Sequence, residues 1–367
     1  MQADIKFMRQ ALVLARRGKG KTIPNPCVGA VLVRNGKTIG EGWHRKAGLS
    51  HAEVEAIQQA KGNGFSPRGA TLYITLEPCC TWGRTPPCTN IILAHGIRRV
   101  VMGAIDPNPK HQGRALQLLR NAGVKTVTGV LKENCEALNQ AWNHWIVHHT
   151  PWVIAKCGMT LDGKIATAKG ESRWITSPAS RSKVHELRAR ADAILVGINT
   201  ILQDDPLLTA RGKFSLDQQP YRIVLDTLAR IPLKSRILNP PHRAWMMVGP
   251  KASRKKIGLL QKIGVKVTVI PKTKDGLSIK AILSALGKAD IVTLLVEGGG
   301  KVLDSFFRAK AVQEAVFFIA PIVLGGGQSI KAVAGRGFPE WRKSATLDNI
   351  QLQKVGADLM VYGKIIS

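Results

Sequence analysis

The sequence predicts an α/β protein built from two successive domains. Strand-like and helix-like segments alternate along most of the chain. Its 367 residues exceed one ordinary domain. Thr150-Pro151 ends a helical stretch just before a fresh apolar strand. The expected domains are therefore 1–149 and 150–367. In the first, residues 4–17 have helical spacing, with Asp4 as N-cap and Gly18 as stop. Val28–Val33 and Lys37–Trp43 flank Arg34-Asn35-Gly36, a hairpin signal. Then follow a helix at Ala52–Ala60, a strand at Thr71–Leu76, and a helix at Pro87–Ala94 opened by its proline. A strand at Val100–Ile105, a helix at Arg114–Asn121, a strand at Val124–Val130 and one helix from Lys132 to His148 complete the domain. The second domain opens with the strand Trp152–Lys156. A helix then runs to Arg190, capped by Ser177 with Pro178 at its first position. Strand-like runs at Ala193–Val196, Arg222–Leu225, Ala244–Val248, Val265–Ile270 and Ile291–Val296 alternate with helical stretches.

Composition narrows the class. Hydrophobic residues make up 44% of the chain, enough for buried cores. No run approaches the roughly 20 apolar residues that span a bilayer, and the first residues lack a signal-peptide pattern. Six cysteines without framework spacing suit a reducing cytoplasm, the expected location. The net charge of +30 is spread over both halves, so neither end is a basic tail. The densest cluster, from Lys251 to Lys274, reads as a solvated surface before it reads as a nucleic-acid face. A basic surface also attracts phosphorylated small molecules.

The chemistry-bearing pattern is His51-Ala-Glu53, then Glu77-Pro-Cys79 and Pro87-Cys88. One imidazole and two thiolates suit zinc and leave a fourth position for a water. Glu53 is the natural proton carrier. Residues two apart on a helix diverge by about 200°. His51 and Glu53 therefore serve one site only from a cap and first turn, with Ser50 as the expected N-cap. Cys79 and Cys88 are expected at helix starts after their prolines. The order matches the zinc nucleobase deaminases, although eight residues rather than two separate the cysteines.

Thr75–Cys88 (T-L-E-P-C-C-T-W-G-R-T-P-P-C), with Asn25–Gly29 and Gly42–His44, resembles the deaminase half of the bifunctional riboflavin-biosynthesis deaminase-reductases. The resemblance implies a cytidine-deaminase-like fold and hydrolysis of an exocyclic amine on a diaminopyrimidinone ribosyl phosphate. It makes His51, Cys79 and Cys88 the zinc ligands, Glu53 the catalytic proton donor, and Asn25, His44 and Arg84 substrate contacts. Two departures stand out. Cys80-Thr81 replaces the family's usual Ser-His, placing a second thiol beside the metal, and Cys27 stands where asparagine is common, as a packing residue.

In the second half, Val296-Glu-Gly-Gly-Gly300 reads as a strand end that exposes backbone N–H groups at a helix start, a phosphate cradle. It is not a G-x-G-x-x-G fingerprint. With Lys156–Gly163, Glu171–Thr176, Gly197–Thr200, Asp204–Pro206 and Leu208–Arg211, it resembles the reductase half of the same family. That resemblance implies a dihydrofolate-reductase-like fold and reduction of the ribosyl group to ribityl by NADPH. Gly158, Trp174, Thr200, Asp204, Thr227 and the loop Gly299, Gly300, Lys301, Val302, Leu303, Asp304 and Ser305 fall on cofactor positions. Ser172, Arg188, Leu208, Arg211 and Glu297 fall on substrate positions, and Lys156 and Glu297 are the candidates for proton handling. The family often has serine at Thr227, so the hydroxyl is kept. A homo-oligomer that takes a phosphorylated pyrimidine and contacts no membrane is expected. The competing reading, a basic tRNA deaminase with a degenerate second domain, leaves the reductase motifs without a use. Its low aromatic content, 5%, also offers few stacking platforms.

Overall fold

The computed structural model describes residues 2–82, 86–214 and 219–366. The chain divides into two compact units, Met1–His149 and Thr150–Ser367.

In the first unit the elements run α1 (Gln2–Arg16), β1 (Gly29–Arg34), β2 (Lys37–Trp43), α2 (Ala52–Gly62), β3 (Thr71–Leu76), α3 (Cys88–Ala94), β4 (Arg99–Ala104), α4 (Arg114–Asn121), β5 (Lys125–Thr128), α5 (Lys132–Leu138) and α6 (Gln140–His148). The sheet order is β2-β1-β3-β4-β5; β1 pairs antiparallel with β2 and β3, and β3, β4 and β5 are parallel. Asn35 and Gly36 form the two-residue turn between β1 and β2, both at positive φ as such hairpins require. The central strands are continuously apolar because helices cover both faces, and Leu32, Leu72, Ile74, Ile92, Val100 and Met102 are buried among them.

Two expectations need correction here. Asp4 is not a cap: α1 starts earlier, and the Asp4 carboxylate accepts from both Arg99 guanidinium nitrogens (2.8 and 2.9 Å) and from the Tyr73 hydroxyl (2.9 Å). The helix expected over 132–148 is broken at Asn139. The Asn139 Oδ1 accepts from the Cys27 N–H (2.8 Å) and its Nδ2 donates to the Cys27 carbonyl (2.9 Å). A side chain that pairs with a distant backbone offers the chain an alternative to helix continuation.

The second unit contains β6 (Trp152–Thr160), β7 (Lys164–Ala166), α7 (Pro178–Arg190), β8 (Ala193–Gly197), α8 (Ile198–Asp204), β9 (Tyr221–Leu225), β10 (Ala244–Val248), α9 (Arg254–Lys262) and β11 (Lys266–Val269). They are followed by β12 (Lys272–Thr273), β13 (Gly276–Leu277), α10 (Ile279–Gly287), β14 (Thr293–Val296), α11 (Gly300–Arg308), β15 (Glu314–Ala320), β16 (Ile330–Lys331), β17 (Thr346–Val355) and β18 (Asp358–Ile366). One nine-stranded sheet has the order β11-β10-β9-β8-β14-β6-β15-β18-β17. It is parallel from β11 to β15 and antiparallel at β15-β18-β17. Alternate residues of each strand serve opposite faces: Leu195, Ile223, Met247 and Leu294 join Phe306 in one core, while Ile194, Val196, Val224 and Met246 build the other. Ser177 caps α7, its side chain accepting from the Ser180 N–H. Among the described residues, no helix is long and apolar enough to cross a membrane.

Candidate active sites

The first site is built where α2 meets the loops after β3. The helix lies directly on β2 because Gly42 has no side chain: a Cβ there would stand 2.3 Å from the Ala52 carbonyl oxygen. That contact fixes the start of α2, where His51, rather than the expected Ser50, occupies the N-cap position. Ser50 instead accepts from the His44 ring with its carbonyl (3.0 Å). Glu53 follows in the first turn, so ring and carboxylate approach one point. Cys88 is the first residue of α3, whereas Cys79 lies in irregular chain after β3, not at a helix start. The Cys88 N–H donates to the Cys79 sulfur (3.3 Å).

His51 Nδ1 stands 3.1 Å from Cys88 Sγ and 3.6 Å from Cys79 Sγ, and the three ligand atoms lie within 4.8 Å of one another. One nitrogen and two sulfurs at such spacing fit zinc in both chemistry and number. Hydrogen bonds from Cys88 and from His51 hold the Cys79 thiol down at about 4, favouring the thiolate a metal needs. Burial pushes the Glu53 carboxyl up to about 7. Cys80 stands outside this cluster. Its sulfur is turned to His111 Nδ1 (3.4 Å). Cys27 is buried against the Thr22 hydroxyl, a packing position.

Asn25 and His44 border this cluster. His44 is buried, its ring 5.3 Å edge-on from that of His51. With Nδ1–H donating to the Ser50 carbonyl, its Nε2 accepts from Asn25 Nδ2 (3.0 Å). Arg84 lies outside the described residues.

Sequence reasoning missed the work of Glu77. Its buried carboxylate accepts from the backbone N–H of Asp106 (3.1 Å), Gly113 (2.8 Å) and Ala115 (3.0 Å), anchoring α4 from beside the cysteine loop. The motif spacing gave no sign of this, because the donors lie 29 to 38 residues away. Glu77→Ala strands two buried donors and a half-buried one at about 1–3 kcal/mol each. A fall of about 3 kcal/mol or more in the stability of the first unit is expected in urea unfolding, and an unchanged midpoint would refute the anchor.

The second site is a cavity of about 1050 Å³ beside the middle of β6 and at the carboxyl ends of β14, β8 and β9. Lys156, Gly158, Ser172, Trp174, Arg188, Thr200, Asp204, Leu208, Arg211, Thr227 and Glu297 line it, with Gly299, Gly300, Lys301, Val302 and Ser305. Two loop positions named from the sequence do not. Leu303 is fully buried in the core, and Asp304 turns inward to accept from the Gly337 N–H (2.9 Å) and Arg308 Nε (2.9 Å). The helical turn of α11 carries these two side chains to its packed face.

At one end of the cavity Glu297 accepts from Arg188 Nε (2.7 Å) and Nη2 (3.0 Å) and from Lys156 Nζ (3.4 Å). Burial alone would raise the Glu297 carboxyl, yet Arg188 and Lys156 hold it down at about 2. Ser172 lies 3.5 Å from Asp204, which also pairs with Arg173 (3.6 Å). Trp174 is 69% exposed, its ring beneath the Arg181 guanidinium at 4.5 Å. Two glycines of the run are spatially required. A Cβ at Gly298 would meet Val302 at 2.6 Å, and one at Gly300 the Lys331 carbonyl at 2.5 Å. At Gly299 nothing lies nearer than Thr200 Oγ1 at 4.0 Å, so its bare backbone faces a free cradle. An extended dinucleotide with a diphosphate fits such a surface.

Comparison with known proteins finds relatives for both units. Residues 1–104 match the cytidine and deoxycytidylate deaminase zinc-binding region, and residues 151–361 match the RibD C-terminal domain. The riboflavin biosynthesis protein RibD of Aquifex aeolicus is 42% identical over 363 residues, covering 99% of each chain. Its Escherichia coli counterpart is 39% identical over 334 residues, covering 88% of this chain and 89% of its own. Among solved structures, Acinetobacter baumannii RibD superposes with a TM-score of 0.88 at 33% identity, covering 100% of this chain and 99% of its own. A Thermotoga maritima diaminohydroxyphosphoribosylaminopyrimidine deaminase/5-amino-6-(5-phosphoribosylamino)uracil reductase gives 0.81 at 34%, with the same coverage.

Proposed function

This chain belongs to the RibD family of riboflavin biosynthesis proteins, and from that premise we propose which of its residues carry the family's two reactions. The protein is a bifunctional enzyme, a zinc-dependent deaminase followed by an NADPH-dependent reductase, with cytidine-deaminase-like and dihydrofolate-reductase-like folds. Zinc, when bound, brings the acidity of a water toward neutrality, and NADPH supplies a hydride. His51, Cys79 and Cys88 hold the metal. Glu53 takes a proton from the attacking water and returns it to the departing amine, a task for a carboxyl poised near neutrality. Asn25, oriented by His44, receives an N–H of the pyrimidine. The observation that carries this reading is the convergence of the His51 ring and two cysteine sulfurs from three segments, with the buried Glu53 carboxyl hydrogen-bonded to Cys88.

In the second unit the ribosyl group must open and accept hydride at its anomeric carbon. Glu297 is held ionised, so it is a poor acid. Lys156 is the better proton source for the ring oxygen, with Glu297 fixing its position (3.4 Å). Arg211, exposed at the cavity wall, is the cation for the substrate phosphate, since Arg188 is committed to Glu297. A diaminopyrimidinone ribosyl phosphate therefore serves as first substrate and its deaminated form as second. A cytoplasmic homo-oligomer accords with this chemistry.

Stripping the metal with a strong chelator tests the division of labour. Ammonia release should stop and return on adding zinc. NADPH oxidation with separately supplied deaminated intermediate should continue unchanged. Ammonia release that survives complete metal removal would contradict the proposal.

A further inference from the structure

The reductase cavity holds more cations than the substrate needs, and four of them have every role accounted for by neighbouring groups. Lys156 and Arg188 are paired with Glu297, Arg173 with Asp204, and Arg181 donates to the Thr176 carbonyl beneath which its own guanidinium meets Trp174. Arg230 is different. It follows β9, lines the cavity and is half-exposed. Its Nη2 donates to Asn199 Oδ1 (3.2 Å), and its Nε stands 3.8 Å from Asp226 Oδ1. Asp226 is fully buried. Its Oδ2 accepts from the Ile231 N–H (2.8 Å), whereas Oδ1 has no hydrogen-bond partner among the described residues. Arg230 is thus held between a buried carboxylate and the Asn199 amide, and its Nη1 makes no hydrogen bond among the described residues.

Sheet order says what that guanidinium faces. Hydride must be delivered beside Lys156 and Glu297, at the middle of β6 and the end of β14. From there the cavity extends in one direction. Its lining continues past Gly298–Gly300 to Gly197, Asn199 and Thr200 after β8, then to Thr227 and Arg230 after β9. No described residue of β15, on the other side of β6, lines it. A dinucleotide with its nicotinamide at β6 and β14 and its diphosphate over Gly299 therefore puts its adenosine ribose at β8 and β9. That is three strand spacings from the reacting end, about 14 Å. The adenosine ribose is where NADPH carries the phosphate that NADH lacks.

We propose that Arg230, oriented by Asn199 and Asp226, reads this ribose phosphate and is the specificity-determining residue for NADPH over NADH. The inference rests on the reading of the second unit as an NADPH-dependent reductase. A guanidinium presents paired N–H donors that match phosphate oxygens, and it keeps its charge at all working pH values.

The test is calorimetric titration of the full-length protein with NADP+ and with NAD+, for the wild type, Arg230→Ala and Arg230→Glu. In the alanine variant the Kd for NADP+ should rise about 10- to 100-fold, as expected for loss of a charge-assisted contact. The Kd for NAD+ should stay within about twofold, which also shows that the cavity is still folded. The glutamate variant should weaken NADP+ further and leave NAD+ alone. Undiminished NADP+ binding in both variants would overturn the assignment in favour of Lys301 or Arg236, which line the same wall. Equal weakening of both dinucleotides would also overturn it, by making Arg230 structural. Failure of the wild-type protein to bind either dinucleotide would instead sink the reductase reading.

Discussion

Glu53→Gln is expected to lower ammonia release by about 10²- to 10⁴-fold, the usual contribution of a positioned acid-base group. Glutamine is the informative replacement because it keeps the shape of a side chain that is 3% exposed and packed at the start of α2. It leaves no cavity, and it removes only the ability to take up and release a proton. The zinc ligands are untouched, so metal content should remain stoichiometric. NADPH oxidation with the deaminated intermediate should also match the wild type, since that chemistry belongs to the second unit. Parallel measurement of zinc, ammonia and absorbance separates these claims. A metal-replete variant that still deaminates at the normal rate would remove Glu53 from the mechanism.

Glu297→Gln should have a comparable effect on the other reaction. The native carboxylate lies between two cations whose side chains are only 13% and 17% exposed. Neutralising it leaves Arg188 and Lys156 facing each other with little water to screen them. Breaking one member of a buried charged group costs about 3–5 kcal/mol. Part of that will appear as lower stability of the second unit, and part as misplacement of the Lys156 ammonium. A fall of about 100-fold or more in single-turnover NADPH oxidation is expected, with ammonia release unaffected. The catalytic share is recognised by its independence from stability. At a temperature where the variant is fully folded, the rate should still be depressed. Normal turnover there would reduce the cluster to a packing role.

The two sites differ in how much of them the sequence exposes. His51, Glu53, Cys79 and Cys88 are legible because zinc chemistry demands few residue types, and the two cysteines each directly follow a proline. Their local backbone was less legible. Ser50 looks like a cap by residue type, yet its carbonyl is committed to His44 and its neighbour takes the position. Cys79 follows a proline as Cys88 does, but only Cys88 has a helix behind it. Glu77 sits inside the most conspicuous motif and serves packing, because its partners are backbone groups that no residue-type pattern reveals. In the second unit the triple glycine signals a cradle. Which side chains of α11 face it depends on helical phase, and Leu303 and Asp304 fall on the inner side. The strand β17 escapes the apolar-run criterion for a related reason. β17 is almost wholly exposed, so it lacks a buried face for alternation to mark.

The break at Asn139 bears on how this enzyme can be divided. The zinc-region match ends at residue 104, and a gene fragment cut there would retain all three ligands and Glu53. It would lose Asn139, which brackets the Cys27 backbone, and Trp142, whose indole N–H donates to the Pro24 carbonyl (3.1 Å). Those two clasps lie on either side of Asn25. An autonomous first unit must therefore carry the chain through α6, since what looks like a trailing connector is the outer brace of the segment that bears Asn25.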